Sequence, residues 1–121
     1  MKNLTLENIA RVCGGTYYGP ADKLQEEVMF VITDSRKAEE GCLFVPIVGE
    51  RVDAHKFIPQ VMEAGALATL SERVLDNADF PYIVVESSLQ AVKDIAEFYL
   101  KQLQIRLWEL QEVLVRQVQK K

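Results

Sequence analysis

Two short polar segments hold the residues best suited to chemistry. One is Thr33-Asp34-Ser35-Arg36-Lys37, directly after an apolar run. The other is Gly49-Glu50-Arg51-Val52-Asp53-Ala54-His55, between an apolar run and a helical pattern. Thr33 and Ser35 offer hydroxyls, and Arg36 and Arg51 offer forked donors that match phosphate oxygens. The start of the following helix adds backbone N–H groups. Open α/β sheets bind ligands beyond the carboxyl ends of their strands, the kind of position both segments would occupy, so the two are expected to face one another. This chemistry suits a polar, anionic ligand. Each residue also has a plainer reading. An Asp-Ser-Arg after a strand is more often a turn closed by an ion pair. Asp53 suits a helix N-cap, and His55 a structural or solvent-facing role. No nucleophile–base pair is legible, so no catalytic residue is assigned. Cys42 lies in an apolar run and is expected in the core. With one His and two cysteines outside any CxxC, no metal site is expected.

The elements that must position these segments alternate between strand and helix. Thr5 to Val12 predicts a short helix capped by Thr5, with Leu6, Ile9 and Val12 on one face and Gly14-Gly15 as its stop. Residues 15–19 predict a short strand or turn. Val28–Thr33, Cys42–Val48, Ala66–Ser71 and Tyr82–Glu86 predict strands. Pro46 inside the second of these argues for an edge position or a bulge. Ala54–Ala64 predicts a helix lined by Phe57, Ile58, Val61 and Met62. Pro59 delays its regular part by a few residues. A long helical pattern follows Ser87, with Ser88 as a candidate cap. The expected fold is α/β: a small mixed, partly parallel sheet flanked by helices, with a long C-terminal helix.

The 121 residues amount to one domain, large enough for a real core. The net charge of -4, without a basic stripe, speaks against non-specific nucleic-acid binding. No run approaches a membrane span. The N-terminus lacks the apolar stretch of a signal peptide. The expectation is a cytosolic protein with reduced thiols, no nucleic-acid partner and no membrane association.

The segment 33–37, followed at its fixed distance by residues 41–57, resembles the N-terminal domain of the Mur ligases. The likeness is to the branch that adds D-alanyl-D-alanine to a UDP-muramyl tripeptide. The helix at 5–12 with its two glycines, and residues 63–68, fit the same family, so the resemblance covers residues 1–105. It implies a cytoplasmic role in peptidoglycan synthesis. Such ligases have three domains. The first grips the UDP end of the precursor, the second carries the ATP phosphate loop, and the third supports the incoming amino acid or dipeptide. ATP phosphorylates a carboxylate, and an amine attacks the acyl phosphate. By similarity, Thr33 and Ser35 sit at the uridine and Arg36 supports their loop. Glu50, Arg51 and Val52 form the opposite wall, braced by Asp53 and His55. The implied partner is a UDP-linked muramyl peptide.

The chain departs from the family pattern at residue 106. It has no glycine after Gly65, hence no Gly-rich phosphate loop beyond that point. ATP and Mg²⁺ belong to the full-length family, and this chain alone is expected to be inactive as a ligase. Residues 106–121 read as a frameshift. Restoring one nucleotide ahead of Arg106 regenerates, with permitted codons, an apolar strand and the loop Gly-x-x-Gly-x-x-Gly-Lys-Thr. Trp108 has a single codon, and with Glu109 it forces the first of those glycines. The tail's composition favours helix, and Tyr99, Leu103, Leu107, Leu110 and Leu114 repeat at helical spacing. The expectation is one helix of about 30 residues with an exposed apolar stripe that drives a two-fold homodimer. Three readings stand at this point: a binding module cut from a ligase, a self-associating structural remnant, and, weakest, a self-sufficient enzyme.

Overall fold

The computed structural model describes residues 4–49, 51–76 and 78–119, excepting the side chains of 105, 106, 109, 110, 113 and 116–119. Helix α1 spans Leu6–Cys13. Thr5 starts it: its backbone is extended and its hydroxyl accepts the Asn8 N–H at 3.1 Å. Gly14 ends it in the left-handed conformation, φ 64°, where its N–H reaches back to the last carbonyls. Gly15 serves a different purpose. A Cβ there would lie 2.7 Å from the Val84 carbonyl oxygen, so glycine alone lets the chain pass this close to the sheet.

The chain then forms β1 (Thr16–Tyr18), β2 (Phe30–Ile32), β3 (Cys42–Phe44), α2 (Ile58–Glu63), β4 (Ala68–Ser71), β5 (Tyr82–Val84) and α3 (Ser88–Gln119). Single turns of 3-10 helix cover Ala21–Lys23, Ser35–Lys37 and Ala54–Phe57. The five strands lie in the order β1-β5-β4-β3-β2. β2, β3, β4 and β5 run parallel, and β1 adds antiparallel to β5 through Thr16–Val84 and Tyr18–Tyr82 pairing. This is the mixed sheet expected from the alternating pattern.

Two apolar clusters sandwich the sheet. Leu43, Val45, Leu70 and Ile83 pack with Leu6 and Ile9 of α1 and with Ala91 and Ile95 of α3. Cys42 and Phe44 pack with Ile58 and Val61 of α2. Successive residues of β3 therefore enter opposite faces, and the strand is buried on both sides, as a central parallel strand must be.

Two sequence expectations need correction. Pro46 does not mark an edge: β3 has β2 on one side and β4 on the other. The strand ends at Phe44, before Pro46, so the missing N–H costs no ladder bond. The helix expected from Ala54 begins its α-helical part at Ile58, after a 3-10 turn and with Pro59 in the first turn, the delay that Pro59 implied. The cap of α3 is Ser87, not Ser88: its hydroxyl accepts the Gln90 N–H and its carbonyl the Ala91 N–H.

Candidate functional site

All four parallel strands end on the same edge of the sheet, and the two polar segments leave it from the neighbouring strands β2 and β3. Thr33 follows β2 directly and is exposed; Ser35 is half-buried. Asp34 shapes the turn between them. One of its carboxylate oxygens accepts the Arg36 backbone N–H at 3.0 Å and the Arg36 Nε at 3.1 Å, and the other accepts Nη2 at 2.9 Å. The Arg36 fork thus closes on its own loop. These bonds, the guanidinium's first, hold the Asp34 carboxyl down at about 2. The turn closed by an ion pair is present, and the Arg36 guanidinium is committed to it in this geometry.

The second segment is a tight excursion. Val48 and Asp53 pair as an isolated antiparallel bridge, and the Gly49 N–H donates to the Val52 carbonyl at 2.9 Å. Arg51 and Val52 stand exposed at its tip. Glu50 lies outside the described residues. Asp53 caps the next turn by accepting the His55 N–H at 2.9 Å.

His55 is buried, at 4% exposure, and each ring nitrogen has one partner. Nε2 accepts the Glu72 backbone N–H at 2.8 Å, so it carries no proton. Nδ1 is then the protonated nitrogen and donates to Asp53 at 2.7 Å. The other Asp53 oxygen accepts Arg73 Nη1 at 3.3 Å. The His55 backbone, then its ring, then Arg73 hold the Asp53 carboxyl at about 2. Glu72 in turn accepts the Ser88 N–H of α3 at 2.8 Å, a carboxylate at the positive end of a 32-residue helix. One chain of contacts therefore joins the loop after β3, the loop after β4 and the start of α3.

Glu72 and Arg73 escaped the sequence reading, which had Ser88 only as a candidate helix cap. Their signal was weak: a polar Ser71-Glu72-Arg73 at a strand's carboxyl end, which is also an ordinary turn composition. The fold holds the other reactive groups away from the edge. Cys42 is fully buried in β3. The Cys13 thiol donates to the Ala91 carbonyl, and burial, with Asp94 nearby, pushes it up to about 12. Beyond Gly65 the described chain is strand, turn and one uninterrupted helix, and no cluster of three acidic, His or Cys side chains is placed for a metal among the described residues.

A mixed, mostly parallel sheet with helices on both faces and polar loops at its carboxyl edge defines an α/β domain. The profile of the Mur ligase family, catalytic domain, matches residues 27–119, and the chain belongs to that family. The UDP-N-acetylmuramoyl-tripeptide–D-alanyl-D-alanine ligase of Bacillus subtilis is 38% identical over 105 residues, covering 85% of this chain and 23% of the relative. The Escherichia coli ligase of the same name is 36% identical over 107 residues, covering 88% and 23%. A crystal structure of MurF from Acinetobacter baumannii superposes with a TM-score of 0.70 at 30% identity, over 81% of this chain and 21% of that one. The fold is that of the N-terminal domain of these ligases. The chain spans under a quarter of the length of the curated relatives it matches.

Proposed function

We propose that this chain is the module that holds a UDP-linked muramyl peptide for a D-alanyl-D-alanine-adding ligase of cytoplasmic peptidoglycan synthesis. One observation carries the reading: two polar loops leave adjacent parallel strands on one edge, each shaped by an aspartate, Asp34 on Arg36 and Asp53 on His55. Thr33 and Ser35 contact the uridine, and Arg36 keeps their turn closed. Glu50, Arg51 and Val52 supply the opposite wall, with Asp53 and His55 holding it to the β4 loop. Binding, not bond-making, is the task of this chain. No step with ATP, Mg²⁺ or amide formation is assigned to the described residues. Residues 106–121 are assigned to an out-of-frame reading, which the nucleotide sequence of the gene tests directly.

Amide NMR shifts during titration with UDP, against ADP as control, decide the binding reading. The expected result is a saturable set of shifts at residues 33–36 and 51–55 with UDP and none with ADP. Equal shifts with both nucleotides, or none with either, would overturn it.

A second reading is favoured by the surface of α3, where Leu100, Leu107 and Leu114 are each more than half exposed. Here the long helix drives self-association, whether or not the nucleotide loops are occupied.

A further inference from the structure

The apolar residues of α3 follow two different rules along its length. Ala91 and Ile95 enter the core beneath the sheet. From Ala96 onward the spacing changes: Ala96, Leu100, Leu103, Leu107, Leu110 and Leu114 are separated by 4, 3, 4, 3 and 4 residues. This is a seam of period 3.5, the repeat that lets two helices supercoil with side chains of one seated in holes of the other. At about 100° per residue the seam lies roughly a third of a turn from the face that Ile95 packs into the domain. Its described leucines 100, 107 and 114 are 57%, 64% and 53% exposed. Trp108 and Val115 are also exposed but fall outside the seam.

A second feature lies beside the domain-proximal part of the same helix. Val31 of β2 and Val92, Ile95, Ala96, Tyr99 and Leu100 of α3 line a hollow of about 340 Å³, apolar almost throughout. The hollow, with Leu100 in its lining, sits at the domain-proximal end of the seam, and the exposed Leu107 and Leu114 lie toward the other. A head-to-tail meeting of two α3 helices satisfies both at once, whereas a parallel pairing lays each hollow beside its own copy and crowds the two domains at one end.

We infer that α3 is a self-complementary docking surface whose occupant is a second copy of this chain, paired antiparallel about Leu103 and Leu107, so that the partner's Leu114 covers Ala96 beside the hollow. This rests on the self-association reading above and adds its geometry. The pairing is two-fold and isologous, which closes the assembly at a dimer. The exposed seam leucines 100, 107 and 114 offer on the order of 100 Å² of apolar surface each. Two copies with their flanking residues therefore reach roughly 1,200 Å², the lower end for a stable interface.

The test uses the full chain in two single-cysteine-addition variants, Ala96→Cys and Leu114→Cys, mixed in equal amounts and oxidised mildly, with the unsubstituted chain as control for Cys13 and Cys42. The inference expects a concentration-dependent dimer in sedimentation velocity, and a mixed disulfide between the two variants formed at least tenfold faster than either self-disulfide. Self-disulfides of each variant as the dominant products would overturn the antiparallel geometry while leaving self-association standing. A monomer at every concentration up to the millimolar range, by the unsubstituted chain, would overturn both.

Discussion

Asp34 and Asp53 perform one operation at two loops. Each sits at the end of an extended stretch, accepts the backbone N–H two residues on, and holds the side chain of that same residue. Each gains more from being charged in the folded chain than in the unfolded one. Both carboxyls therefore fall from the ordinary 3.8 to about 2. The sign follows from linkage: a depressed carboxyl contributes its stabilisation fully above the unfolded value and loses it as pH falls through the folded one. The loops should stay closed down to pH ~4 and loosen between about 4 and 2. Carboxyl carbon shifts followed by NMR should titrate near 2 for both residues, with the Arg36 and His55 amides moving in step. Midpoints near 3.8 would mean the loops are open. Asp34 is exposed enough that solvent screening keeps the energetic effect small; the consequence is loop shape.

At the scale of elements, the adjacent glycines after α1 separate two physical demands. Gly14 requires a backbone conformation, φ 64°, with open space around it. Gly15 requires space, because β5 passes against it. Gly14→Ala should cost about 1–2 kcal/mol, the penalty of a side chain in left-handed geometry. Gly15→Ala should cost more, because a rigid backbone carbonyl must move. Urea midpoints of the two variants check the order, and equal losses would mean that β1 and β5 separate easily here. The two Asp-capped turns show the same division between backbone and side chain. In each turn one backbone N–H, that of Arg36 or of His55, is taken by the local carboxylate, and the next ones by backbone carbonyls.

For the whole molecule, the interior strand β3 joins the two apolar clusters. β3 sends Cys42 and Phe44 to the α2 face and Leu43 to the face shared by α1 and α3. Phe44 is the largest fully buried side chain. Phe44→Ala should cost about 3–5 kcal/mol, a large part of the ~5–15 kcal/mol that holds a domain of this size. It should also loosen α2 and the turn at Ala54–Phe57 that carries His55. Equilibrium urea unfolding by circular dichroism measures the loss; a change below about 1 kcal/mol would show that the α2 face is not cooperative with the rest. The distal half of α3 stands apart from this core, which is why Leu107 and Leu114 are exposed while Ile95, about three turns earlier, is buried.

Local chemistry determined much of this in advance. Thr5 and Gly14 bound α1, and Pro59 shifted the start of α2. The apolar runs located four strands, because caps, breakers and periodicity act over a few neighbours and leave their mark in short windows. The two polar loops were legible for the same reason, as was the long terminal helix. Tertiary structure alone decided that β3 is an interior strand although it is followed by a proline, and that β1 pairs with β5 across 64 residues of chain. It also decided that His55 turns inward to a backbone N–H 17 residues away, bringing in Glu72, Arg73 and Ser88. Those outcomes depend on which surfaces must be covered once the strands assemble. Burial and hydrogen-bond pairing over long separations are settled by the packing of the whole chain, and no local pattern records them.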